Sequence, residues 1–70
     1  MRAKKYRISN LGVTEEMKKN SQRIQSAINQ LEGINAVRID PYAETVTVDF
    51  DDSKVSEEEI QKILRDDHYL

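Results

Sequence analysis

The chain has no cysteine, no tryptophan, one proline, two glycines and one histidine among its 70 residues. Without cysteine it can form neither a disulfide nor a thiolate metal site. One histidine, no glycine-rich phosphate loop and no nucleophile–base pair leave nothing on which to build a catalytic centre, so the sequence points away from an enzyme. No apolar run approaches the ~18 residues that span a bilayer, and membrane insertion is not expected. Met1-Arg2-Ala3-Lys4-Lys5 is basic, but no apolar stretch follows it as a secretory signal requires. A net charge of −2 gives no excess of positive charge to draw nucleic acid or an anionic membrane. A cytoplasmic location fits these absences.

What is present is ordinary globular material: 37% hydrophobic and 34% charged residues. Seventy residues make one domain, residues 1–70, able to bury only ~60% of the surface of its unfolded chain. Tyr6 and Ile8 alternate with Lys5, Arg7 and Ser9, the period of a half-buried strand over Lys5-Ser9. Thr14 stands where a helix cap belongs, with Glu15 and Glu16 where the helix dipole favours acids. Met17, Ile24, Ala27, Ile28 and Leu31 then share one helical face, and Gly33 is placed to end that helix in a left-handed conformation. Val37 and Ile39 give a second strand. Asp40-Pro41-Tyr42-Ala43-Glu44 gives a turn in which the aspartate bonds the backbone beyond it. Val46, Val48 and Phe50 give a third strand with Thr45, Thr47 and Asp49 on its wet face. Ser56 and Glu59 form a capping box, flanked by Val55 and Ile60 as a hydrophobic staple, ahead of a helix that buries Ile60, Ile63 and Leu64. Tyr69-Leu70 is the stub of a fourth strand.

This order is α+β: a ferredoxin-like βαββα(β) sandwich with two helices on one face of an antiparallel sheet and a fourth strand short or missing. Lys5, Arg7, Ser9, Arg38, Thr45, Thr47 and Asp49 fall on the open face. Tyr6 and Phe50 share the inward parity, which leaves that face without the aromatic platform used to stack RNA bases.

Gly12-Val13-Thr14 ahead of a helix, Leu31-Glu32-Gly33-Ile34, Thr45-Val46-Thr47-Val48-Asp49-Phe50-Asp51 and Val55-Ser56-Glu57-Glu58-Glu59-Ile60 together resemble the heavy-metal-associated domain family of copper chaperones and metal-pumping ATPases. Members of that family hold a soft metal with two cysteines in a Met-Thr-Cys-x-x-Cys loop. Here Gly12 to Ile24 spans two positions more than the family pattern. Counted back from Ile24, the cysteine positions fall on Met17 and Asn20; counted forward from Gly12, they fall on Glu15 and Lys18. Neither count yields a thiolate pair, and tight capture of Cu(I), Zn(II) or Cd(II) depends on deprotonated sulfur.

The resemblance implies a module of metal transport or homeostasis whose metal loop has degenerated, acting by protein contact through the open sheet face or through the surface around Leu11, Val13 and Tyr69. No cofactor is expected. An alternative is a weak copper or zinc site using Met17 and His68, which the resemblance brings together because the loop before Tyr69 lies beside the first loop. The residues alone explain Met17 as part of the buried stripe and His68 as a solvated residue at a helix end. A further alternative is a self-associating module, since a barely formed fourth strand leaves strand Lys5-Ser9 an open edge.

Overall fold

Val46, Val48 and Phe50 alternate along one strand, and all three are buried in a computed structural model that describes residues 2–70. That strand, β3 (Thr45–Phe50), is the centre of the sheet. It pairs antiparallel with β1 (Arg2–Arg7) on one side and β2 (Ile34–Asp40) on the other, giving the order β1-β3-β2. A register shift between Ile34 and Ala36 kinks the start of β2. Helix α1 (Glu15–Asn29) crosses from β1 to β2, and α2 (Glu57–Asp66) follows β3. Ile24 and Ile28 of α1 and Ile60 and Leu64 of α2 join Tyr6, Val37 and the β3 triplet in one core cluster, so both helices cover the same sheet face. On the other face Arg38 pairs with Asp49 across β2 and β3 at 3.1 Å. The α+β, ferredoxin-like expectation holds.

The local chemistry of α2 is as its sequence specifies. The Glu59 N–H donates to Ser56 Oγ at 3.2 Å and the Ser56 N–H donates to Glu59 Oε2 at 3.4 Å, which completes the capping box. Val55 and Ile60 are both buried beside it. In the hairpin turn, Asp40 Oδ1 accepts from the N–H groups of Tyr42 and Ala43 at 3.1 and 3.2 Å.

Three expectations need correction. β1 begins at Arg2, because Arg2, Ala3 and Lys4 continue the ladder opposite Phe50, Asp49 and Val48; the alternation of Tyr6 and Ile8 marks only its end. Thr14 is at the N-cap but has φ 55° and makes no side-chain cap bond, leaving Glu15 and Glu16 to complement the helix dipole. Gly33 does not cap α1, which ends at Asn29. Its φ of +95° turns the chain into β2 instead, where its carbonyl accepts from the Asp51 N–H at 2.8 Å. The fourth strand, expected short or missing, is missing: Tyr69-Leu70 forms no strand, and one backbone bond, Ser9 N–H to Tyr69 O at 2.9 Å, holds it beside the end of β1. Among the described residues β1 is an edge strand.

Gly33 is irreplaceable on two counts. A Cβ there would lie 2.7 Å from Lys54 Cβ, and the left-handed backbone strains any other residue. Gly33→Ala is expected to cost about 2 kcal/mol in denaturant unfolding. Asp51, in the adjacent loop, has its carboxyl held below the usual carboxylate range, first by the Ser53 hydroxyl and then by the Ser53 N–H, at 2.7 and 3.0 Å. A lowered folded pKa stabilises the fold above the unfolded value, near ~4, and that contribution is lost as pH falls through the folded value. Ser53→Ala should flatten the fall of stability with acid below about pH 4, measured as unfolding midpoint against pH.

Candidate functional site

The loop between β1 and α1 carries three residues of positive φ: Asn10 at 65°, Gly12 at 81° and Thr14 at 55°. Asparagine and glycine accept that conformation readily, whereas a β-branched threonine does so only when its surroundings impose it. Around it the loop is held by hydrogen bonds. The Asn20 side chain, one and a half turns into α1, donates from Nδ2 to Leu11 O at 2.7 Å and accepts at Oδ1 from the Tyr69 hydroxyl at 2.6 Å. Asn10 Nδ2 donates to His68 O at 2.6 Å. First loop, first helix and last turn are thus tied at one end of the sandwich.

The last turn has its own logic. The His68 N–H donates to Arg65 O at 2.9 Å and the Tyr69 N–H to Leu64 O at 2.8 Å. That is the paired-bond helix stop in which the residue after the cap turns left-handed, and here that residue is His68, at φ 67°. The stop brings Tyr69 back over Leu64, and both are buried. The imidazole thus occupies a position where glycine is the usual choice, and its exposure follows from the helix stop.

Of the residues singled out as a contact surface, Leu11 and Tyr69 are core members, 4% and 3% exposed, while Val13 is 72% exposed. The correction has a physical cause: the Asn20 bridge pulls the loop inward at Leu11 and anchors the Tyr69 ring. The exposed aromatic at this end is Tyr42, 91% exposed. With Pro41, Met17 and Gly12 it borders an open hollow of about 320 Å³. The sequence marks Tyr42 only as a turn residue; an aromatic in a short hairpin turn beside the first loop was the available signal.

The two counts for the ligand positions now separate. Glu15 and Lys18 are exposed, while Met17 and Asn20 are half-buried and turn toward the loop, so the count back from Ile24 describes the geometry. Met17 packs against the core and borders the hollow; His68 does not line it. Among the described residues no three His, Asp or Glu side chains gather into a group. The donor chemistry does not fit a thiophilic cation: one neutral thioether faces an amide whose oxygen and nitrogen are both engaged in hydrogen bonds.

A model of the heavy-metal-associated domain matches residues 19–69 of the chain, beginning beyond the loop and the first turn of α1. No curated protein matches the sequence. Among solved structures, the CopZ metallochaperone is similar over 97% of this chain and 96% of its own, at 19% identity and TM-score 0.85. Oxidized MerP from Ralstonia metallidurans CH34 is similar over 97% of this chain and 89% of its own, at 20% identity and TM-score 0.81. A copper binding domain from HMA7, a P-type ATPase, is similar over 94% of this chain and 84% of its own, at 20% identity and TM-score 0.82. At such identities these likenesses bear on the fold. No helix is long and apolar enough to cross a membrane.

Asn20→Ala strands Leu11 O and the Tyr69 hydroxyl together, with an expected cost of roughly 2 kcal/mol, whereas Tyr69→Phe removes one bond for about 1 kcal/mol. The two should be markedly non-additive in a double-mutant cycle read by chemical denaturation. His68→Gly should raise stability by about 0.5–1 kcal/mol, because glycine adopts the left-handed conformation without a Cβ penalty.

Proposed function

We propose that this chain, which belongs to the heavy-metal-associated domain family, is a non-catalytic protein-contact module of metal homeostasis whose first loop no longer grips a thiophilic cation. The observation that carries the reading is the Asn20 bridge. At the position that counting back from Ile24 assigns to the second cysteine, a neutral amide spans Leu11 O and the Tyr69 hydroxyl. A cation there would have to break both bonds and would gain no negative charge in exchange. The bridge keeps the loop end in one shape with no ion present, and a fixed shape is what protein recognition requires.

The contact surface under this reading is the loop end itself. Val13 and Tyr42 present large apolar side chains to solvent, and Met17 and Pro41 back them around the hollow. An exposed aromatic side chain with a half-buried methionine beside it fits the composition of a binding surface. The structural relatives, a metallochaperone and a copper binding domain of a P-type ATPase, support placing such contacts in metal traffic. A cytoplasmic setting agrees with that role.

The rival reading is a weak copper or zinc site at Met17 and His68. One observation favours it: Asn10 borders the same hollow as Met17 and holds the His68 carbonyl, so the two residues sit on adjoining segments. A thioether and an imidazole still fall short of the three or four donors that a tight site needs.

Titration with Cu(I) and Zn(II), followed by amide shifts, tests both. The native chain is expected to show no saturable one-to-one shifts confined to residues 10–20 and 66–69. Met17→Cys with Asn20→Cys is expected to create stoichiometric Cu(I) binding on the same backbone. Stoichiometric metal on the native chain, abolished in His68→Gly and Met17→Leu while both variants stay folded, would replace the contact reading with the metal-site reading.

A further inference from the structure

The edge of β1 carries information that the loop end does not. The Ile8 N–H bonds Glu44 O across β3, so Tyr6, Lys4 and Arg2, at the same parity, direct their backbone groups to β3. Ala3, Lys5 and Arg7 consequently direct their N–H and C=O groups outward, in line with the Ser9 N–H, which already bonds Tyr69 O. That single bond lies just beyond the end of β1, and among the described residues the next three outward positions take no backbone partner.

The side chains along that edge are uneven in a way that specifies a partner. On the open sheet face Lys5 and Arg7 make no ion pair with any carboxylate among the described residues. On the helix face Tyr6 is 6% exposed, yet its hydroxyl has no hydrogen-bond partner, and neither has the buried Glu57 Oε1. Arg2 and Lys4 hold Glu57 only at 3.8 and 3.7 Å, longer than hydrogen bonds. Two buried oxygens without a hydrogen bond thus stand beside the same edge, one of them ion-paired with Lys4.

We propose that the free edge of β1 is a strand-addition site for an extended acidic segment of a partner protein, with carboxylates opposite Lys5 and Arg7 and a hydroxyl or amide side chain entering beside Tyr6 and Glu57. Backbone bonds to Ala3, Lys5 and Arg7 supply the affinity. The carboxylates pair across the strands on the open face. The hydroxyl or amide donates to Glu57 Oε1 and accepts from the Tyr6 hydroxyl, which satisfies both orphan atoms at once. A second copy of this chain is the poorer occupant, because β1 against β1 would set Arg2, Lys4, Lys5 and Arg7 opposite like charges. Ala3, Lys5 and Arg7 share no side chain with the loop end, so binding there and at the edge fail independently.

The test uses the isotopically labelled chain and two synthetic peptides, one alternating aspartate with threonine and one alternating lysine with threonine. The aspartate peptide should slow amide exchange at Ala3, Lys5 and Arg7 by roughly tenfold or more, less so at high salt. Lys5→Glu with Arg7→Glu, both at exposed positions, should keep the fold and transfer the preference to the lysine peptide. Tyr6→Phe removes an unpaired hydroxyl, so it should preserve stability while weakening the aspartate peptide about fivefold. No protection by the aspartate peptide overturns the proposal. So does equal protection by the lysine peptide, or protection of β1 without peptide in a dimer that forms with rising concentration.

Discussion

A three-stranded sheet with one covered face has a single place to put its apolar side chains, and both helices must reach it. Phe50, Val46 and Val48 on β3 are wholly buried, and so are Ile28, Ile60 and Leu64 on the helices that close over them. With so small a core, each of these side chains represents about 1.5–3 kcal/mol of burial, so few can be surrendered in a domain of ordinary marginal stability. The consequence for function is geometric. Because both helices lie over the same face, the start of α1 and the end of α2 arrive at the same end of the sandwich, where Asn10 and Asn20 tie the attached loops together.

Where those loops meet, two kinds of side chain would serve differently. A thiolate brings negative charge and softness, and holds its loop by coordinating an ion. An amide brings a donor and an acceptor on one rigid plane, and can bridge two partners without any ion. Asn20 does the latter, with Leu11 O on one side and the Tyr69 hydroxyl on the other. The bridge holds a backbone that carries positive φ at Asn10, Gly12 and Thr14, an arrangement that would otherwise open. Its worth as a pair of partly buried hydrogen bonds is about 1–3 kcal/mol, comparable with one core side chain.

What was legible in the sequence was whatever is decided within a few residues. The capping box at Ser56 and Glu59, the Asp40 turn and the alternation along β3 each complete their contacts locally, so their pattern is their structure. The candidate site was less legible because its contacts join residues far apart in the chain. Asn20 finds Tyr69 and Asn10 finds His68, and no spacing rule announces either. Leu11 and Tyr69 look like exposed apolar residues flanking a loop until that tie draws them inward. Gly33 misled for a related reason: a glycine needs positive φ somewhere, but whether it ends a helix or starts a strand depends on where Asp51 and Lys54 pass.

Five of the six positive-φ positions among the described residues, Asn10, Gly12, Thr14, Glu44 and His68, lie in or beside the loop end; Gly33 alone lies elsewhere. Four of those five bear a side chain, at about 1–2 kcal/mol of backbone cost each. Strain of that kind persists only where the surroundings over-determine it, and it is spent on shape rather than on stability. The helix stop accounts for His68 and the hairpin turn for Glu44, while the bridges from Asn10 and Asn20 tie the first loop to the last turn and to α1, with Val13 and Tyr42 outward. The strained backbone and the engaged amide thus belong to one end of the molecule, held in form by hydrogen bonds among its own side chains and backbone.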